Sequence, residues 1–104
     1  MTLEEFNQLH NERVEKSRRV LIEKNREYGT ELDVLESFKE QSELSIHNTS
    51  PAIGWELLVK HLYSVRRIIR EYEESGRQPT KEMIDEKFGD AINYLILIEA
   101  LLKE

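Results

Sequence analysis

The stretch "DEKFGDAINYLILIEALL", residues 85–102, decides the fold class because its two halves differ in character. The first half places Asp85, Glu86 and Asp90 within two helical turns, whereas the second half is almost entirely apolar. Apolar side chains spaced three and four residues apart predict one face of a helix that starts at Thr80. The predicted inner stripe of this last helix comprises Ile84, Phe88, Ala91, Leu95, Ile98 and Leu102.

The apolar half of this stretch, residues 91–102, also bears on assembly. A helix that is apolar around most of its surface must be covered around most of its surface. The remaining helices of so short a chain cannot easily surround it, which predicts a homodimer or a higher homo-oligomer forming a larger bundle. The alternative is that Leu97 and Leu101 are simply exposed.

Upstream, helical periodicity begins near the N-terminus. Thr2 followed by Glu5 is typical of a capping box, in which each side chain accepts a hydrogen bond from the other residue's backbone amide. Gly29 is a suitable residue to end this helix in the left-handed region, so we expect a first helix over residues 3–28. Its predicted stripe comprises Leu3, Phe6, Leu9, His10, Val14, Ser17, Val20, Leu21, Lys24 and Tyr28.

Two further helices are predicted in the middle of the chain, a short one near 34–44 and a long one over 51–74. Ser50 and Pro51 supply an N-cap and a favoured first helical residue for the long one. Its predicted stripe comprises Trp55, Leu57, Leu58, His61, Leu62, Val65, Ile68, Ile69 and Tyr72. Because no stretch alternates with period two, we expect an all-α fold, a small bundle of three long helices and one short helix in a single domain, residues 1–104.

Composition narrows the function. The chain has 104 residues, a formal net charge of −6 and no cysteine. The negative charge argues against broad binding to duplex nucleic acid, and the lack of cysteine excludes disulfides and thiolate metal sites. No apolar run is long enough to cross a bilayer, and the first ten residues lack the basic and apolar segments of a signal peptide. We therefore expect a cytoplasmic protein that does not enter the membrane.

The last helix carries the first candidate site, a row of polar residues on one face: Glu82, Glu86, Asp90 and Asn93. Carboxylates stacked in this way repel one another unless a cation joins them, so Glu82, Glu86 and Asp90 are candidate ligands for Mg²⁺. Alternatively, acidic residues near a helix N-terminus only complement the helix dipole. Asp90 and Asn93 lie beside apolar residues, where an unpaired polar group is costly, so each needs a partner.

The second candidate site combines basic and aromatic residues from two other helices. His61 interrupts the apolar stripe of the third helix, and we expect it to lie opposite Asp90 together with the neighbouring Lys60. Lys24 and Tyr28, near the end of the first helix, form a cation and an aromatic plate suited to a phosphate and a base. The simpler interpretations are a core histidine, a lysine whose stem packs while its ammonium stays in water, and a packed tyrosine.

Three short motifs in this order also carry a family resemblance: "K-x-x-x-Y-G" at 24–29, "VKHLYS" at 59–64, and "E-x-x-x-E-x-x-x-D-x-x-N-Y" from Glu82 to Tyr94. Over about residues 20–100 the chain resembles the nucleotide modification associated domain type 1 family, small helical proteins frequent in bacteriophages. It is distantly similar to the all-α, MazG-like nucleoside triphosphate pyrophosphohydrolases, in which an E-E-x-x-E helix faces an E-x-x-D helix and both bind magnesium.

The sequence departs from the pyrophosphohydrolase pattern at one of the two acidic motifs. Glu86 and Asp90 match the second motif, but Lys60 and His61 stand on the helix that would carry the first. The resemblance therefore implies a module that binds a nucleotide or nucleotide-derived signal and interferes with a host defence protein. Two alternatives stay open: a magnesium-dependent hydrolase of modified nucleotides, and a protein inhibitor of a host nuclease, similar to anti-CRISPR proteins.

Overall fold

A computed structural model describes residues 1–28, 33–47 and 49–104, apart from the side chains at positions 25, 27 and 28. Its helices are α1 (Leu3–Tyr28), α2 (Glu36–Leu44), α3 (Ser50–Ser75) and α4 (Lys81–Lys103). The described residues contain no strand. The prediction of an all-α bundle with three long helices and one short helix is confirmed.

The start of α1 forms the predicted capping box. The backbone N–H of Thr2 donates to Glu5 Oε2 at 2.7 Å, and the N–H of Glu5 donates to Thr2 Oγ1 at 3.1 Å. Two amides that lack a partner within the helix are thereby satisfied. The prediction that Gly29 ends this helix falls outside the described residues.

The N-cap of α3 lies one residue earlier than predicted. The N–H of Ala52 donates to Thr49 Oγ1 at 3.4 Å, so Thr49 and not Ser50 is the cap. Both residues have a hydroxyl that can cap a helix, and sequence alone does not separate neighbours of the same chemistry. Pro51 lies in the first turn, where its missing N–H costs nothing.

The link between α3 and α4 is short and has a capping residue at each end. Gly76 has a φ of 69°, in the left-handed region that glycine adopts without strain, and its N–H donates to the carbonyl of Tyr72 at 2.8 Å. Four residues later Thr80 caps α4, its Oγ1 accepting from the N–H of Met83 at 3.1 Å. The two helices are therefore joined directly as a hairpin.

The close packing of this hairpin depends on Gly54. A Cβ built at this position would lie 2.9 Å from Cγ1 of Ile98, which is closer than side-chain atoms normally approach. The missing side chain therefore lets α4 come near the backbone of α3. Leu58, one turn along α3, is fully buried, and α2 closes one end of the interface with an apolar cluster. The buried members of that cluster are Leu35, Phe38, Ile53 and Leu101.

The predicted inner stripes of α3 and α4 are wrong at several positions. The buried face of α3 includes Gly54, Leu58 and Ile68, because the helix turns its glycine toward α4. The predicted core residues that are instead exposed are Trp55, Leu62, Ile69 and Tyr72 on α3 and Leu95 and Leu102 on α4. The alternative prediction that Leu97 and Leu101 are simply exposed is also wrong, since Leu101 is buried and Leu97 is partly buried.

Charged side chains fix α1 to α4. Arg13 Nη2 lies 3.0 Å from Asp85 Oδ1, and Lys16 Nζ lies 2.9 Å from Asp85 Oδ2. Arg13 also lies close to Gly89, where a Cβ would be 3.2 Å from Nη1.

The first three turns of α1 are exposed on every side, so the predicted core positions Leu3, Phe6 and Leu9 are exposed as well. In the described part of the chain, every helix is too short or too polar to span a bilayer.

Candidate functional site

Asp90, in the middle of α4, is the point at which three helices meet. Lys24 Nζ of α1 donates to its Oδ1 at 3.4 Å, and Nδ1 of His61 on α3 lies 3.7 Å from its Oδ2. Asp90 and His61 are mostly buried, whereas Lys24 keeps about a third of its side chain in contact with solvent. A buried carboxylate requires such charge compensation, and here the cation and the imidazole come from different helices.

His61 also stacks on the aromatic ring of Tyr94, one turn beyond Asp90 on α4. The two ring centroids are 4.8 Å apart with an interplanar angle of 24°. The imidazole therefore contacts two residues of the same helix, the carboxylate of Asp90 and the ring of Tyr94. We call the five residues Lys24, His61, Asp90, Asn93 and Tyr94 the Asp90 cluster.

The environment of His61 favours the neutral form of its imidazole. Burial of the ring lowers the pKa of His61 below its ordinary value, and the positive charges of Lys24, Lys60 and Lys87 lower it further, whereas Asp90 raises it. Desolvation is the largest of these effects, because the charged imidazolium loses more hydration than the neutral ring. A neutral imidazole has one nitrogen that donates and one that accepts.

Asn93 is the most deeply buried polar side chain of the cluster, with an exposed fraction of 2%. Neither its Nδ2 nor its Oδ1 has a hydrogen-bond partner among the described residues. It follows Gly89 by four residues and Asp90 by three, so it shares a side of α4 with both. Leaving one buried donor or acceptor unpaired costs about 1–3 kcal/mol. The hydroxyl of Ser17 on α1 is likewise buried without a partner among the described residues.

The structure brings together three of the six predicted binding residues, Lys24, His61 and Asp90, and it buries Asn93 one turn further along α4. The cation that contacts Asp90 is Lys24 and not Lys60, whose side chain is exposed on α3. Lys60 affects His61 only through its charge. The side chain of Tyr28 falls outside the described residues, so its predicted role stays a prediction.

The predicted magnesium ligands are arranged differently. Glu82 and Glu86 are exposed, and Glu86 Oε1 lies 3.3 Å from Lys87 Nζ. Asp90 is engaged by Lys24 and His61. Across 1–28, 33–47 and 49–104, no group of three or more His, Asp or Glu side chains lies close enough to hold a metal ion. The donor set therefore does not fit the arrangement that magnesium prefers.

The place of Tyr94 in the cluster and the residues that pair with Asp85 were not predicted from the sequence. Tyr94 lies four residues after Asp90, a spacing that indicates a shared helical face, and the same rule could have placed it in the cluster. The partners of Asp85 could not be found in this way, because Arg13 and Lys16 lie about seventy residues earlier in the chain. Only the packing of α1 on α4 brings them together.

Comparison with known proteins returns no match: no family model, no curated protein and no solved structure is significantly similar to this chain. The family resemblance described above therefore depends on its motifs alone.

Proposed function

We propose that this chain is a helical binding module that holds a nucleotide or nucleotide-derived signal at the Asp90 cluster. The observation that supports this most is the buried amide of Asn93, which has no partner among the described residues. A side-chain amide offers an acceptor oxygen and a two-proton donor side by side. That pattern is complementary to the edge of a nucleobase, as in the pairing of asparagine with adenine.

Lys24 is the phosphate-binding residue in this proposal. Its ammonium is partly exposed and lies 3.4 Å from Asp90, so an incoming phosphate can compete with the carboxylate for the same charge. Lysine acts as a point charge toward phosphate and does not require the two-pronged geometry of arginine. The stacked rings of His61 and Tyr94 add an aromatic surface beside it.

Binding without hydrolysis agrees with the charges around Asp90. The hydrolase alternative requires Glu82, Glu86 and Asp90 to share a cation, but Asp90 is neutralised by Lys24 and the two glutamates are exposed. The magnesium-dependent hydrolase therefore remains the less favoured function.

The biological setting that we propose follows from the phage-family resemblance. In that setting the chain acts in the cytoplasm of a bacterial host, as a homodimer, and interferes with a host defence protein. The exposed apolar side chains on α1 and α3 support contacts with other protein chains. They also keep the nuclease-inhibitor alternative open.

The test is a thermal-shift screen with nucleotides and cyclic nucleotides, carried out in EDTA and again in Mg²⁺. We expect at least one nucleotide to raise the melting temperature in EDTA, and we expect Lys24→Met and Asn93→Leu to abolish that shift. Lys103→Met is the matched lysine control, because its ion pair within the described part of the chain is with Glu99 on its own helix, at 3.5 Å. Asn11→Leu, at an exposed position of α1, is the asparagine control.

Two results would contradict the proposal. One is release of pyrophosphate that depends on magnesium and is abolished by Glu86→Gln, which would establish the hydrolase. The other is a complete screen in which no nucleotide shifts the melting temperature, which would favour a protein partner. Asn93→Leu without ligand gives a further check: removal of an unpaired buried amide should raise stability by about 1–3 kcal/mol.

A further inference from the structure

We propose that the outer face of α3 binds the same face of a second copy, with the two helices antiparallel about a two-fold axis. This inference extends the homodimer of the proposed function by naming its interface, and it does not depend on nucleotide binding.

The face is a regular apolar stripe that the chain itself does not cover. Trp55, Val59, Leu62 and Ile69 follow one another at intervals of four, three and seven residues, and all are between 40% and 53% exposed. Arg66 occupies the position between the last two. Alternating intervals of three and four residues form the seam along which two helices pack as a coiled coil. We call these five residues the outer stripe.

The exposed area of the chain is large enough for a stable dimer. The accessible surface is 8143 Å², compared with about 6,100 Å² for a compact monomer of this mass. The radius of gyration is 15.8 Å, compared with about 13 Å for a compact domain of this length. The surplus of roughly 2,000 Å² exceeds the ~800 Å² that each partner buries in a standard interface. This surplus belongs to the whole chain, including the exposed first turns of α1, and the half-exposed side chains of the outer stripe contribute to it.

Charges along one edge of the outer stripe indicate that the partner is the same chain. Glu56, Tyr63 and Arg70 follow one another at intervals of seven residues, and all three are exposed. Tyr63 is midway between the acid and the base, about 10.5 Å along the helix axis from each. A two-fold axis at Tyr63 places Glu56 of each copy beside Arg70 of the other, forming two ion pairs. In a parallel pair these equivalent positions would lie on opposite sides of the seam, and Glu56 and Arg70 would not meet.

Arg66 gives the seam its register. Its aliphatic stem can cover Leu62 of the other copy while the guanidinium reaches water. A single polar residue in an otherwise apolar seam is a common device for fixing alignment in coiled coils, at some cost in stability. The outer stripe is therefore self-complementary in shape, charge and alignment, as a two-fold interface requires.

Light scattering and sedimentation, in EDTA and without nucleotide, test the interface. We expect the wild-type chain at micromolar concentration to have twice the monomer mass of 12.4 kDa. Leu62→Glu should produce a folded monomer, with helix content checked by circular dichroism. Ile22→Glu is the matched control, because Ile22 is 45% exposed and lies on α1, which packs against α4. A wild-type chain that stays monomeric at millimolar concentration would overturn the proposal.

Charge exchange tests the antiparallel arrangement. We expect Glu56→Arg and Arg70→Glu each to weaken the dimer roughly tenfold, since both ion pairs become repulsive. A mixture of the two single variants, or the double exchange in one chain, should restore wild-type affinity. His47 Nε2 lies 3.7 Å from Glu56 within one copy. That contact is lost in Glu56→Arg and in the double exchange alike, and it is retained in Arg70→Glu.

Other results of the charge exchange contradict the arrangement. If neither the mixture nor the double variant recovers, the helices are not antiparallel about Tyr63. If only Arg70→Glu weakens the dimer, another acidic segment such as the N-terminal turns of α1 covers the stripe. Because this measurement is made without nucleotide, a result that contradicts the dimer leaves the nucleotide proposal unaffected. A failed nucleotide screen likewise leaves the dimer proposal unaffected.

Discussion

The interfaces that α4 forms with α3 and with α1 have opposite chemistry. Between α3 and α4 the contact is apolar and close, with Gly54 against Ile98 and Leu58 fully buried. Between α1 and α4 the contact is rich in ion pairs. Asp85 is held by Arg13 and Lys16, all three partly exposed, and Lys24 lies 3.4 Å from Asp90. Helix α4 is thus joined to α3 through apolar packing and to α1 largely through charged side chains.

This difference predicts an unequal distribution of stability. Burial of apolar surface contributes about 25 cal/mol per Å², whereas partly exposed ion pairs typically contribute less than about 1 kcal/mol each. We therefore expect the hairpin of α3 and α4 to set the global stability of the chain. We expect α1 to be held more weakly and in a manner that depends on salt and pH.

The largest expected effect is that of Leu58→Ala. Truncating a fully buried leucine should lower the free energy of unfolding by about 2–5 kcal/mol, because a cavity remains between α3 and α4. The control is Ile22→Ala on α1, which removes a half-exposed side chain and should cost about 0.5 kcal/mol or less. Urea unfolding followed by circular dichroism gives both values, and equal losses would refute the unequal distribution.

The same substitution at two glycines gives the next largest contrast. Gly54→Ala places a methyl group 2.9 Å from Ile98 Cγ1, so it should destabilise by about 1–3 kcal/mol as the helices move apart. Gly89→Ala meets only the end of the flexible Arg13 side chain, at 3.2 Å. There the better helix propensity of alanine should stabilise by up to ~1 kcal/mol. Melting temperatures that fall equally in both variants would show that the two interfaces are equally tight.

A smaller effect is expected for Asp85→Asn, which removes the ion pairs that hold α1. Hydrogen bonding from Lys16, with a further contribution from Arg13, lowers the pKa of Asp85 below its ordinary value. Its contribution to stability is therefore present above the unfolded pKa of about 3.9, and it is lost as the pH falls through the lower folded value.

Hydrogen exchange, resolved by helix, measures this effect. In Asp85→Asn, and in wild type at high salt, protection should fall in α1 and stay unchanged in α3 and α4. Glu15→Gln is the control, because the ion pairs that Glu15 forms among the described residues are with Arg18 and Arg19 on the same helix. Loss of protection throughout the chain in Asp85→Asn would mean that α1 does not detach independently.

The smallest expected effect concerns His61, at the junction of both interfaces. Because its folded pKa is lowered, the unfolded chain binds the proton first. Stability should therefore decrease as the pH falls from about 6.5, the ordinary value, toward the lower folded pKa. His61→Gln should remove this part of the pH dependence, whereas His10→Gln, at an exposed position of α1, should not. Melting temperatures between pH 5 and 8 that are identical for all three proteins would contradict the expectation.

Local chemistry explains which features were predictable from sequence. The capping box at Thr2 and Glu5, the cap at Thr80 and the ends of the long helices depend on neighbouring residues, and they were predicted to within a residue or two. The faces of the helices depend on distant residues. The stripe of α3 was predicted around Trp55 because the contribution of Gly54, an absent side chain, does not appear in a count of apolar residues.

The candidate site likewise combines features that neighbouring residues predict with features that depend on how the helices pack. The juxtaposition of His61 with Asp90 was predicted from two helical faces, and the burial of Asn93 from its apolar neighbours. The choice between Lys24 and Lys60 as the cation could not be made, since it depends on how α1 crosses α4. Both lysines occupy plausible helical positions, and only the packing brings Lys24 to the carboxylate.

The brief connection at residues 76–80 has a consequence for the order of folding. The apolar contacts of the hairpin can form progressively outward from this short connection, whereas Asp85 meets residues 69 and 72 positions away. Contacts between near segments close with little loss of chain entropy and favour rapid folding. We expect the hairpin to form in the transition state and α1 to dock afterwards, so substitutions at Leu58 should slow folding and substitutions at Asp85 should accelerate unfolding.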